Sequence, residues 1–317
     1  MTLRAALVLL ASLAAIAAAP WAGGLGDAAS FVLWELRVPR VLVAALAGGT
    51  LALVGVCYQT VFANPLASPD TVGTSAGATL GALCAVTFGG WAGWQGVGDA
   101  SGLPVVTLAA FAGALLISLA ISGIAARRGA SVNDVLLAGI AMTLATGALS
   151  TGLQFTADET AMVAAARWSL GHLPQVGYRG VLALLPFALP VWVLLVWQAR
   201  ALDALLGGEA RAWSQGVDTH RVRALVLGGG ALAVAACVAW CGPIAFVGLI
   251  VPHLLRLGVG ASRRVLLPLA APAGAGFLAA CDMAARLVVP GREVPVGVIT
   301  AGLGAPLLVW LIARRRA

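Results

Sequence analysis

Long uncharged runs alternate with short polar interruptions along the whole chain. Apolar runs occupy 3–19, 41–63, a stretch beginning near Gly73, then 104–126, 132–155, 180–198, 223–240, 242–257, 265–289 and 294–313. A helix needs about 20 predominantly apolar residues to cross a bilayer. The pattern therefore predicts an all-α polytopic membrane protein of about ten transmembrane helices, with residues 1–317 as one transmembrane domain. The run at 242–257 is short and carries Pro243 and Pro252, which predicts a kinked or broken helix.

The second and third runs form a helical hairpin. Arg37 and Arg40 flank Pro39 at its entrance, and the first arm runs uncharged from 41 to 63. It stops at Asn64-Pro65 and turns through Leu66, Ala67, Ser68, Pro69 and Asp70. Proline and asparagine chemistry suffices for a turn there. Beyond it, Gly73, Gly77 and Gly81 recur at four-residue spacing, a small-residue seam on which another helix can pack closely.

Composition narrows the class further. The chain is 61% hydrophobic and only 10% charged, far from the range of soluble domains. Its net charge of +7 comes from arginines at the ends of apolar runs, the pattern of positive-inside topology and not of a nucleic-acid surface. All 19 basic residues are arginine. A phosphate-binding Walker loop needs a lysine, so any ATP hydrolysis belongs to another chain. There is no nucleophile elbow, no metal-ligand spacing and no lysine for Schiff-base chemistry; the chain is not an enzyme by itself.

Placing the N-terminus in the cytoplasm puts Arg127, Arg128, Arg200, Arg211, Arg221, Arg223, Arg263, Arg264 and Arg314 to Arg316 inside, with both termini cytoplasmic. Arg37, Arg40, Arg167, Arg179, Arg286 and Arg292 stay outside. The first run, with Arg4 ahead of it and an alanine-rich end, fits either a secretory leader or a retained first span. The segment with Asp27, Trp34 and Glu35 reads as a short external loop or helix.

Several polar features invite a role. The longest polar interruption, 201–223, is broken by Gly207-Gly208 and followed by an amphipathic piece from Glu209 to Gln215. Asp282 and Arg286 lie four residues apart, the spacing of a helical ion pair. Ser131 and Asp134 fit a capping box at the start of the fifth run. Cys237 and Cys241 share a helix face, either as buried small hydrophobes or as metal ligands lacking a companion histidine or carboxylate. His253 beside Pro252 reads as structural, and His172 as the better of the two if either held haem.

The motifs RVPR, NPLASPD, GTSAGATLGA, GPIAFVGLIVPHLLR and EVPVGVITAGLGAP, in this order along nearly the whole chain, resemble the FecCD-type permeases. These are the membrane subunits of bacterial ABC importers for ferric siderophores, haem and cobalamin. The resemblance implies a type II importer permease in the inner membrane, its first span retained, paired with a second copy or a close paralogue. It implies ATP-binding cassette ATPase subunits carrying ATP and Mg, a periplasmic substrate-binding protein, and no cofactor in this subunit. It makes 201–223 the cytoplasmic coupling segment, with Glu209, Arg211 and Trp213 facing the ATPase. By the same resemblance Arg37, Arg40 and Arg292 receive acidic residues of the binding protein, where the alternative is contact with lipid head groups. Asn64 and Leu66 match the cytoplasmic gate. The form of the NPLASPD turn favours a ferric siderophore as cargo, then haem or cobalamin. The rival class, an ion-gradient-driven transporter, needs coupled intramembrane carboxylates, and the sequence offers Asp282 alone.

Overall fold

A computed structural model of the chain describes residues 3–23, 29–71, 73–91, 105–125, 127, 132–155, 159–289 and 292–314. Asp27, Arg128, Ser131, Arg315 and Arg316 lie outside them, and with Ser131 the capping box. Every regular element among the described residues is helical. They are α1 (Leu3–Ala18), α2 (Ala29–Phe31), α3 (Val38–Val61), α4 (Thr74–Trp91), α5 (Val105–Ala125), α6 (Val132–Gln154), α7 (Glu159–Ser169) and α8 (Tyr178–Trp197). There follow α9 (Ala199–Leu205), α10 (Glu209–Ser214), α11 (Thr219–Cys241), α12 (Val247–Val259), α13 (Arg263–Leu287) and α14 (Val296–Arg314). The ten apolar runs become α1, α3, α4, α5, α6, α8, α11, α12, α13 and α14. Six helical stretches are long and apolar enough to cross a membrane; α12 and the apolar parts of α4 and α14 are shorter.

α3 is the axis of the fold. A π-helical stretch, Val32–Arg37, leads into it, so of the expected short loop or helix the part from Ala29 is helical and continues into the same rod. In an 18-residue apolar window of Val32–Val61, 83% of the residues are buried, against 22% in that of Leu3–Trp21. Burial on that scale in lipid requires close backbone approach, and glycine supplies it. Gly48 of α3 and Gly274 of α13 face each other, so that a methyl group at either would strike the other's carbonyl. Gly55 meets the Gly248 backbone of α12 in the same way, and Trp192 of α8 lies over Gly49 while its Nε1 donates to Thr50 Oγ1 at 2.9 Å. The predicted seam on α4 is also used: Gly77 packs on Gly113 and Gly81 on Ala109, both of α5. α1 packs on α13 where Gly276 meets Ser12.

Two non-helical segments lie against each other inside the bundle. The turn after α3 folds back along it. Pro69 sits against Gly248, which faces Leu51 and Gly55. Leu51 is ten residues before the end of α3, about 15 Å at the rise of an α-helix. The partner segment is the break between α11 and α12, where Phe246 adopts the left-handed conformation with φ 68°. Irregular backbone at membrane depth must find its hydrogen bonds within the protein. Here Asp70 supplies them: its carboxylate accepts from the Phe246 N–H and, at 2.5 Å, from Ser75 Oγ. The sequence reading placed Asp70 in the turn; the structure adds that its carboxylate packs against the break between α11 and α12.

Candidate functional site

The chemistry-bearing residues gather at the two ends of the α3–α13 pair. At one end α9 and α10 form a small polar shelf. Gly208, with φ 94°, separates them, and α10 stands on Ala212, its buried residue. Glu209, Arg211 and Trp213 therefore point outward. Glu209 pairs with Arg223 at the start of α11. Trp213 is 71% exposed although its Nε1 donates to Thr219 Oγ1 at 3.1 Å. Asp218 caps α11, accepting from the Arg221 N–H at 3.0 Å.

Asp203 of α9 reaches the start of α13. That helix opens at Ser262, whose own side chain makes no cap. Asp203 caps it from outside: Oδ1 accepts the Arg263 N–H at 2.7 Å, and Oδ2 accepts from Ser262 Oγ at 3.2 Å. Arg264 adds a loose ion pair at 3.6 Å. A carboxylate there answers both the unpaired amides and the positive end of the helix dipole.

Arg263 itself turns inward and is 4% exposed. Its Nε donates to Thr60 Oγ1 at 2.6 Å, and Nη1 donates to the Ala261 carbonyl at 2.9 Å. Thr60 is one residue from the end of α3. Its carbonyl accepts the Ala63 N–H at 3.1 Å, and the neighbouring Gln59 carbonyl accepts the Asn64 N–H at 3.2 Å. Gln59 also grips α12, donating to the Gly248 carbonyl at 3.3 Å and accepting from Arg256 Nη1 at 2.5 Å. Ala63, with φ 45°, bends the chain into the turn. There Asn64 Oδ1 accepts the Leu66 N–H at 2.9 Å, and Leu66 is 40% exposed. Asn64 and Leu66 thus sit at a projecting tip whose base is fixed by Gln59 and Thr60.

The other end is built on charge. Arg40 is 6% exposed. It donates from Nε and Nη2 to Asp282 Oδ1 at 2.9 and 2.8 Å, and from Nη1 to Glu293 Oε2 at 2.7 Å. Asp282, fully buried, also holds Arg286 at 3.2 Å through Oδ2. The expected Asp282–Arg286 pair is present, and Arg40 of α3 joins it as a further partner of Asp282 that the sequence did not announce. Arg286 Nη2 then donates to the Ala19 carbonyl at 2.7 Å. Arg37 Nη1 donates to the carbonyls of Pro20 and Gly23 at 3.1 and 3.2 Å, tying the end of α1 to the start of α3. Of the three arginines singled out for an outside partner, Arg292 is exposed, whereas Arg37 is partly and Arg40 almost wholly covered.

A recess of about 910 Å³ opens beside this cluster, lined by Arg40, Arg167, Trp168, His172, Gln175, Arg292 and Glu293 among others. The loop forming one wall is clamped where three backbones meet. The His172 N–H donates to the Cys241 carbonyl at 2.7 Å and the Gly297 N–H to the Gly171 carbonyl at 3.3 Å. Burial, with Arg40 nearby, pushes the His172 imidazole below its usual pKa, so it is neutral at pH 7. No group of three or more metal-ligating side chains occurs among the described residues.

Asp203, Arg263, Thr60, Gln59 and Glu293 escaped the sequence reading as functional candidates. The sequence signal available was the position of Asp203 inside the 201–223 interruption; Thr60 and Gln59 carry none, being polar residues inside an apolar run.

The model of the FecCD transport family matches residues 3–314. The chain is 39% identical over 285 residues to the vitamin B12 import system permease protein BtuC of Vibrio cholerae, covering 89% of this chain and 83% of that one. It is 37% identical over 304 residues to the cobalamin import system permease protein BtuC of Halobacterium salinarum, covering 94% and 78%. To the hemin transport system permease protein HmuU of Yersinia pestis it is 36% identical over 303 residues, covering 93% and 87%. Among solved structures, it matches an inward-facing conformation of a putative metal-chelate type ABC transporter with a TM-score of 0.84 and 27% identity, over 98% of this chain and 99% of that one.

Proposed function

The chain belongs to the FecCD transport family, as a multi-pass permease of the type II importer fold, and from that premise we propose that it carries a bulky metal chelate inward for an ABC importer. Two such subunits, identical or paralogous, enclose the pathway, and separate ATPase subunits supply the energy. The observation that carries this reading is the likeness to importer permeases along nearly the whole chain. The exposed α10, standing on one buried alanine beside a pinned α9, supports an ATPase-facing role for Glu209, Arg211 and Trp213. That end is then cytoplasmic, and Asn64 and Leu66 project there as the gate. Leucine closes a pore by excluding water, and the Asn64 side chain stiffens the tip that carries it. The opposite end meets a substrate-binding protein. Arg292 offers the exposed charge, and Arg40 and Arg37 hold the surface behind it.

As cargo we place a corrinoid first, then haem, then a ferric siderophore. The relatives from Vibrio and Halobacterium that support this order are named for vitamin B12 and cobalamin, and it reverses the preference drawn from the turn motif. The test is radiolabelled uptake of cobalamin, haem and ferric siderophores in a strain lacking the gene, with and without an ATPase-dead partner. Loss of one cargo, reproduced by the dead ATPase, supports the reading. Uptake that follows the proton gradient and ignores the ATPase overturns it in favour of a secondary transporter.

A further inference from the structure

We propose that Asp203, Arg263 and Thr60 are positioning residues that join the polar shelf of α9 and α10 to the gate turn, so that movement of the shelf is felt at Asn64 and Leu66.

The contacts run without a gap. Asp203 belongs to α9 and grips the first residues of α13 through a backbone N–H and a hydroxyl. Arg263, the residue whose N–H is gripped, sends its guanidinium to Thr60 of α3. Thr60 and Gln59 then hold the amides of Ala63 and Asn64. Each link has a reason to transmit displacement. A carboxylate on a helix N-terminus is directional, since it serves donors fixed by the helix itself. The Arg263 guanidinium is planar and buried, and its Nε is aimed at Thr60 Oγ1, so a shift at the start of α13 is passed directly to the end of α3. The gate turn adds little slack, because Ala63 departs from helical geometry only three residues after Thr60.

The far end of α13 explains why such a push acts locally. There Arg40, Asp282, Arg286 and Glu293 fix α13 to α3, and the Gly48–Gly274 contact brings the two backbones close together between the ends. Displacement entering through Asp203 therefore tilts the Thr60 end against a fixed far end.

The proposal rests on the reading of α10 as the ATPase-facing element, and the test separates the two. The permease, its ATPase and its binding protein are reconstituted in liposomes, and ATP hydrolysed and cargo accumulated are measured in the same vesicles. Cyanocobalamin is the probe, or haem if the uptake panel selects it. Thr60→Val, of nearly equal volume, removes the acceptor of Arg263. Thr60→Ser keeps it. Asp203→Asn weakens the grip on α13. We expect Thr60→Val and Asp203→Asn each to lower cargo moved per ATP about fivefold or more, and Thr60→Ser to stay within about twofold of the parent. The double variant is expected to be no worse than the poorer single, because the residues act in one line. Losses that multiply in the double variant, or a parental ratio in both singles, overturn the proposal. Should Thr60→Val fail to assemble, Asp203→Asn and Arg263→Lys carry the same comparison. Crosslinking from Glu209→Cys to the ATPase reports on the underlying reading. Its absence in every nucleotide state overturns that reading and the proposal with it, whereas a crosslink with unchanged cargo per ATP overturns the proposal alone.

Discussion

The two ends of the α3–α13 pair are each fastened by a buried arginine, with opposite economies of charge. At one end Arg40 of α3 reaches Asp282 of α13 and Glu293 in the segment before α14, and Arg286 completes two positive and two negative charges. At the other, Arg263 of α13 reaches back to α3 and finds a hydroxyl and a carbonyl. The nearby carboxylate of Asp203 spends itself on the backbone N–H, Ser262 and Arg264. A buried ion cluster resists being opened, because each partner left behind is an uncompensated charge. An arginine held by neutral oxygens exchanges one such acceptor for another at far smaller cost. The charged end is thus the fixed one, and the neutral end, beside the turn at Asn64, is the one able to rearrange.

The largest effect should come from the charged end. Asp282→Ala strands Arg40 and Arg286 together and is expected to cost about 3–5 kcal/mol. Thermal unfolding of the detergent-purified protein should register a drop of several degrees; a shift under one degree would break the comparison. Thr60→Val at the neutral end should cost less, about 1–2 kcal/mol by the same assay, while its larger consequence falls on coupling. Glu293→Gln should cost under about 1 kcal/mol, because that side chain is 52% exposed and water screens the pair.

The smallest effect is a pH dependence. The folded state holds His172 below its usual pKa, through burial and the Arg40 charge. Arg167, Arg292 and Glu293 share its recess. Between the lowered value and the ordinary value near 6.5, the unfolded chain binds the proton and the folded one does not. Stability from this group is therefore present above about pH 6.5 and declines as pH falls through that window. Unfolding scans from pH 7.5 down to 5 should show His172→Gln with a flatter profile than the parent; parallel profiles would remove His172 from the account.

Hydropathy alone located the ten apolar helices, six of them long and apolar enough to cross a bilayer. The motif reading also located the polar shelf and the tip at Asn64. What it missed depends on pairs distant in sequence. Nothing near Arg40 announces Asp282, because the helix that carries Asp282 is the eighth long apolar run after it. Arg263 read as one of several interior-loop arginines, since positive-inside counting treats every loop arginine alike and cannot see one fold inward. Asp70 read as part of a turn, because the return of that segment along α3 is dictated by Gly248 and Phe246, more than 170 residues further on. Local pattern reports what each segment needs from its solvent, and these contacts record what one segment needs from another.

The separation of Arg40 from Asp282, 242 residues along the chain, also sets a schedule. At a synthesis rate of about 5–20 residues per second, roughly 12–50 s pass between the emergence of the arginine and that of its carboxylate. Throughout that interval α3 occupies the bilayer with its eventual counter-ion untranslated. Arg40 tolerates the wait because it lies in the first turn of α3, where a long side chain can extend to the head groups. Asp282 arrives with Arg286 one turn behind it and so enters already neutralised. The nascent chain thus need not hold Arg40 as a lone charge in hydrocarbon, and the pairing of Arg40 with Asp282 and Glu293 comes only after α13 has been made.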